Sequence, residues 1–163
     1  YAIRKTKELG LTNLRYAQAD ILALGGDKTF DVVDSSGVLH HLKNPLDGWR
    51  RLAGLVRPGG LMHIGLYSAT ARKDINTARD YLAQQGRDYS IPEVRKLRAE
   101  IAGRPDGDPL HNIMQFSDFF SMSECRDLLF HVQEHQFTIP QIAAFLAESG
   151  FTFLGDHPCK TFH

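Results

Sequence analysis

Apolar and polar positions alternate between two periods along this chain. Tyr1 to Leu9 carry a helical pattern that ends at Gly10, with Arg4, Lys5 and Lys7 crowded where a helix dipole favours cations. Residues 14–19 (LRYAQA) alternate as a strand would, closed by Asp20, and Gly25-Gly26-Asp27-Lys28 spells a turn. Phe30 to Ser35 is a valine-rich strand. Asn44-Pro45 marks a helix start, and Leu46, Trp49, Leu52, Ala53 and Val56 then recur at threes and fours, giving one buried face. Arg57-Pro58-Gly59-Gly60 stops that helix and turns into a strand over 61–67.

The texture changes after Tyr67. Residues 68–102 are polar and helical, with a capping-box pattern at Ser90 to Glu93, and 103–109 (GRPDGDP) form a loop. An aromatic, irregular stretch over 110–122 follows. A second capping-box pattern at Ser121 to Glu124 opens a helix expected to reach about His135, and Thr138-x-Pro140-Gln141 opens a last helix ending at Ser149-Gly150. Residues 151–154 (FTFL) have strand character, and Asp156 to His163 is too short and turn-like to supply another. Helix, strand, strand, helix, strand, with helices of crossover length, predicts an α/β fold with an open sheet.

Composition narrows the function classes. Nineteen basic residues balance nineteen acidic ones, so the electrostatic footprint of a general nucleic-acid binder or a polybasic membrane patch is missing. Two cysteines, Cys125 and Cys159, are too few for a disulfide framework, which makes a reducing cytoplasm the expected location. The apolar runs are short and broken by charge, so neither a transmembrane helix nor a signal peptide is expected.

The stretch Phe30-Asp-Val-Val-Asp-Ser-Ser-Gly-Val-Leu-His-His-Leu42 resembles the fourth-strand motif of class I S-adenosylmethionine-dependent methyltransferases. Ala19-Asp20-Ile21 is similar to the end of that family's third strand, and Leu55-Val-Arg-Pro-Gly-Gly-Leu61 to the turn into its fifth. Residues 1–67 follow the family in order. Asp118 to Phe137 resembles a segment of bacterial methyltransferases fused to helical, tetratricopeptide-type repeats. The resemblance implies a Rossmann-like sheet lacking its first strands, with a helical insertion after the family's fifth strand. It divides the chain into 1–67 (cofactor-binding core), 68–137 (insertion or cap) and 138–163 (last helix and strand returning to the core). It implies S-adenosyl-L-methionine as cofactor and S-adenosyl-L-homocysteine as product. Asp20 and Ile21 would hold the adenine, and Ser35, Ser36 and His40 would line the cofactor's other side. His41 would face the substrate, either as a base or as a histidine donating to a backbone carbonyl. Such sites lie beyond the carboxyl ends of strands. A turn or cap role remains open for Asp20, and a plain polar loop for Ser35 and Ser36.

The family also uses a first strand, a glycine-rich GxG loop and an acidic second-strand end, and the 14 glycines contain no GxG. The expectation is therefore a fragment of a longer enzyme, inactive by itself, or a chain whose unpaired sheet edges pair with a second copy. The alternative function is a catalytically inactive methyltransferase fold acting as an interaction or dimerisation module. The methyl acceptor is expected to be a small molecule or a peptide, since an insertion of about seventy residues suits a cap. Phe116, Phe119, Phe120, Phe130 and Phe137 line an apolar substrate pocket or form the insertion's core. His131-Val-Gln-Glu-His135 spells the inverted zinc-peptidase signature, a minor alternative that places two histidines four apart on one helix. Packing or surface histidines are the other reading, and no metal ligand is assigned.

Overall fold

The computed structural model describes residues 1–25, 29–131 and 133–156 of the 163-residue chain. Helix α1 (Ala2–Glu8) opens the chain and buries no residue. Gly10 follows it at φ +67°, the left-handed conformation that glycine adopts without a Cβ penalty. Strand β1 (Phe30–Ser36), helix α2 (Pro45–Ala53) and strand β2 (Val56–Gly65) form a parallel β–α–β unit.

Pro45 occupies the first turn of α2, where its missing N–H costs nothing. Trp49 and Leu52 are buried as the periodicity requires, while Leu46 faces solvent and Gly48 takes a buried place instead. A Cβ on Gly48 would run into Leu42 and Leu39. Trp49 stacks on Phe145 at 4.0 Å between ring centroids, which ties α2 to helix α6 (Ile139–Ser149).

Helix α2 stops at Ala53, and Val56 already pairs with Phe30. The Arg57-Pro58-Gly59-Gly60 turn therefore sits inside the ladder as a bulge: Phe30 pairs with Val56, and the next paired residue, Val32, meets Leu61. Gly59 has φ +73°, and a Cβ on Gly60 would lie 2.9 Å from the Asp31 carbonyl oxygen, so both glycines are required. Arg57 Nε donates to Asp31 Oδ1 at 2.5 Å across the bulge and holds the Asp31 carboxyl below its usual pKa.

Two expected strands are not formed. Residues 14–19 form no strand, with Leu14 and Tyr16 each 48% exposed and no ladder partner among the described residues. Residues 151–154 are likewise without a ladder, and Phe153 and Leu154 are exposed. The Gly25–Lys28 turn lies mostly outside the described residues, as does Cys159.

Two apolar cores organise the described residues. Leu39, Trp49, Leu52 and Phe145 centre one, joined by Val33, Met62 and Ile64 from the sheet's inner face. The other lies among α3 (Lys73–Gln84), α4 (Ile91–Ala102) and α5 (Met122–Phe130) and includes Ile75, Leu97, Ile113, Phe119 and Cys125. Phe116 and Phe130 pack against this second core, and Phe137 is buried at the sheet side, so the core reading holds for these aromatics. Phe120 is the exception at 57% exposure. A two-residue parallel pair, β3 (Tyr67–Ser68) with β4 (Gln136–Phe137), returns the helical segment to the end of β2.

Helix starts match the sequence unevenly. Thr138 and Gln141 form the full reciprocal capping box of α6. Ser121 accepts from the Glu124 N–H, whereas Ser90 makes no side-chain cap. No described helix is long and apolar enough to cross a membrane.

Candidate functional site

Parallel pairing of β1 and β2 brings their carboxyl ends together, with Ser36 opposite Gly65. The chain must leave β1 sharply there, and Gly37 does so at φ +72°, with open space where a Cβ would stand. Val38 then leads into a tight turn over Leu39–His41 whose first two residues are buried. Ser35 is buried and Ser36 exposed, so one hydroxyl faces each side of the strand end. A Cβ on Gly65 would lie 3.1 Å from Ser36, so glycine there lets the two strands close up.

His40 is 1% exposed, and neither of its ring nitrogens has a hydrogen-bond partner among the described residues. Its ring lies 3.9 Å from that of Tyr67 and 4.2 Å from that of His41. Burial, followed by the neighbouring His41, pushes its pKa down to about 4, so it is neutral at physiological pH. Tyr67, one of the residues the sequence did not single out, is buried enough to raise its own pKa. Arg72 caps the other face of the Tyr67 ring, 3.4 Å from its centroid.

His41 is half-buried and stacks on His131 at 4.2 Å. Its Nδ1 lies 3.2 Å from the Gln133 carbonyl oxygen, the backbone-carbonyl bond that was one of its two expected roles. The strap holding Gln133 is latched twice more: the His135 N–H donates to the His40 carbonyl at 2.8 Å, and Gln133 Nε2 donates to the His41 carbonyl at 3.3 Å.

Asp20 and Ile21 reach the same end of the molecule by a different route. Asp20 Oδ1 accepts from the Leu22 N–H at 2.9 Å and so caps the short turn Ile21–Ala23, while Ile21 packs beside Gly48 of α2. Asp20 thus fills the capping role left open for it. Ser35, Ser36, His40 and His41 are brought together by one strand end and its turn; Asp20 and Ile21 approach from the α2 side without a described hydrogen bond to them.

The zinc-peptidase geometry is corrected. Helix α5 ends at Phe130, and His131 is extended at φ −63°, ψ 128°. Arg79 takes the Leu128 carbonyl with two N–H groups, at 2.9 and 2.6 Å, and closes the helix there. Glu134 turns inward to Arg79 at 2.9 Å and Arg72 at 3.4 Å. His131 and His135 therefore do not share a helix face, and the described residues contain no group of three or more metal-ligating side chains.

A surface groove of about 390 Å³ lies between the start of α2 and residues 135–141, and none of the candidate site residues lines it; Lys43, Asp47, Arg50, His135 and Gln141 are among its lining residues. On the outer face of the sheet, His63 Nδ1 meets Asp34 Oδ2 at 2.6 Å. Gln133, Tyr67 and Arg72 are the neighbours that sequence reasoning missed. Tyr67 was visible only as a strand end, and nothing in the pattern marked Gln133.

Over 149 aligned positions the chain is 28% identical to an uncharacterized protein of Synechococcus sp.; the alignment covers 83% of this chain and 34% of the relative. The chain thus spans about a third of that relative's length. Residues 1–64 match the family model of a methyltransferase domain. That span contains Asp20, Ile21, Ser35, Ser36, His40 and His41, and the match supports a methyltransferase.

Proposed function

We propose that this chain is part of a class I S-adenosylmethionine-dependent methyltransferase acting on a small-molecule or peptide acceptor, with a Rossmann-like sheet of which β1–α2–β2 is one unit. One observation carries the reading: the matched span ends its parallel strands in a small-residue turn, Ser35-Ser36-Gly37, beside a buried histidine with no hydrogen-bond partner among the described residues. Ligands of open α/β sheets bind at such strand ends. The residues fit one side of the cofactor. Gly37 leaves space above the turn, and the main-chain carbonyls and hydroxyls of Ser35 and Ser36 suit an ammonium group. His40 offers unpaired nitrogens, and Asp20 keeps one carboxylate oxygen for the adenine amino group, with Ile21 against the ring. When bound, S-adenosyl-L-methionine supplies an electrophilic methyl group and leaves as S-adenosyl-L-homocysteine. The chain's own residues orient the cofactor and exclude water, and 68–137 closes over the acceptor while 138–163 packs the last helix on the core.

Calorimetric titration of the full-length gene product with S-adenosyl-L-homocysteine tests this. The expected result is saturable binding at micromolar concentration, weakened about tenfold or more by Asp20→Ala, a loss of about 1.4 kcal/mol. No binding near 1 mM, or binding indifferent to Asp20→Ala and Ser36→Leu alike, overturns it.

A second reading has its own observation. The outer face of the sheet exposes Phe30, Val32 and Leu61 at 47–58%, an apolar strip that suits an interaction or dimerisation module. Sedimentation of the chain, with Val32→Glu as control, separates it: a dimer abolished by the substitution favours this module.

A further inference from the structure

Residues 131 and 133–135 hold two histidines in defined protonation patterns, and one residue determines both. The Gln133 N–H donates to His131 Nδ1 at 3.2 Å. A ring nitrogen that accepts a hydrogen bond carries no proton, so neutral His131 has its proton on Nε2. That nitrogen lies 3.7 Å from Asp127 Oδ1, beyond hydrogen-bond distance. The carbonyl of the same Gln133 lies 3.2 Å from His41 Nδ1. A carbonyl only accepts, so His41 carries its proton on Nδ1 and its lone pair on Nε2. The two rings are stacked at 4.2 Å and 23° with opposite tautomers. His41 Nε2 has no hydrogen-bond partner among the described residues and is not a buried orphan, unlike both nitrogens of His40.

We propose that the Gln133 peptide is a positioning group that locks His41 in the Nδ1–H tautomer, and that the exposed His41 Nε2 receives a hydrogen bond from an O–H or N–H of the acceptor. The acceptor class rests on the methyltransferase reading; the tautomers do not. The strap thus makes His41 a proton acceptor at Nε2, and an acceptor group without a proton to give finds no partner there. The side-chain amide of Gln133 adds a second hold on the same turn through the His41 carbonyl, fixing the ring's height against the strap.

Imidazole ¹⁵N spectra of the histidine-labelled chain, assigned with His41→Asn and His131→Asn, test the proposal at a pH where both rings are neutral. The expected result is an Nδ1–H signature for His41 and an Nε2–H signature for His131. Gln133→Ala keeps the peptide, so both tautomers persist. Gln133→Pro removes the N–H as well as the side chain, so, relative to Gln133→Ala, His131 relaxes to a mixture while His41 is unchanged. A dominant Nε2–H form or an even mixture at His41 in the wild-type chain overturns the proposal, as does an unchanged His131 in a folded Gln133→Pro chain. If that variant does not fold, the wild-type spectra decide. No cofactor is needed, so a failed tautomer leaves the methyltransferase reading intact, and failed cofactor binding leaves the tautomers intact.

Discussion

His40 ties the strand-end turn to a pH-dependent stability. Its pKa falls from the ordinary 6.5 to about 4 on folding, because burial disfavours the imidazolium. Between those values the unfolded chain holds a proton that the folded chain does not, so stability rises with pH across the window. The contribution is fully present above pH 6.5 and is lost progressively down to about 4, a total of about 3 kcal/mol at about 1.4 kcal/mol per unit. The lowered carboxyls of Asp31, Asp88, Glu100 and Asp108 lose their contributions further down, as pH falls through their folded values. Urea melts at successive pH values are therefore expected to show a one-proton slope between pH 5 and 6.5, and His40→Leu to remove it. A wild-type slope of zero there contradicts the burial argument. Gly48→Ala is the complementary test of packing: its Cβ meets Leu42 and Leu39, with an expected loss of about 1–3 kcal/mol in the same melts. At this scale the 30–42 motif was readable, because one strand and its turn place all of its residues locally. Gln133 was not, because its value depends on a tertiary contact 92 positions away in sequence.

Elements follow their local signals where those signals are self-sufficient. The Thr138–Gln141 box lies within one turn, so pattern and structure agree, and Thr138→Ala is expected to cost about 1 kcal/mol in thermal or urea unfolding. Ser90 has the same spelling without the bond, and Ser90→Ala is expected to stay within about 0.5 kcal/mol. Helix α5 shows what overrides a helical pattern. Arg79 claims the Leu128 carbonyl in its last turn and, with Arg72, pairs with Glu134, while the helix ends at Phe130. The Glu134 side chain is 3% exposed, and Glu134→Gln leaves two guanidinium groups under-compensated, with an expected loss of about 3 kcal/mol or more in the same assay. Residues 14–19 and 151–154 fail as strands for the converse reason: alternation describes a face, whereas a strand needs a hydrogen-bonded neighbour. The Arg57–Gly60 turn was correctly sensed but misplaced, because a bulge inside a ladder has the same sequence chemistry as a helix stop.

Across the described residues, the His40–His41 turn follows Leu39 of the sheet-side core and is hydrogen-bonded to Gln133 and His135 of the chain returning from the helical segment. The sheet side supplies the strand ends, and the helical segment supplies the strap, Tyr67 and the Arg72–Glu134 pair beneath it. The strand-end turn is the proposed ligand site; a separate groove, lined by Arg98, Met114 and Phe120 among other residues, is its rival. Amide spectra of the isotopically labelled full-length gene product, recorded with and without S-adenosyl-L-homocysteine, test that claim most directly. Saturable shifts are expected at Asp20–Ile21, Ser35–Gly37 and His40. A spectrum unchanged by the ligand, or shifts confined to the residues around Arg98, would contradict it.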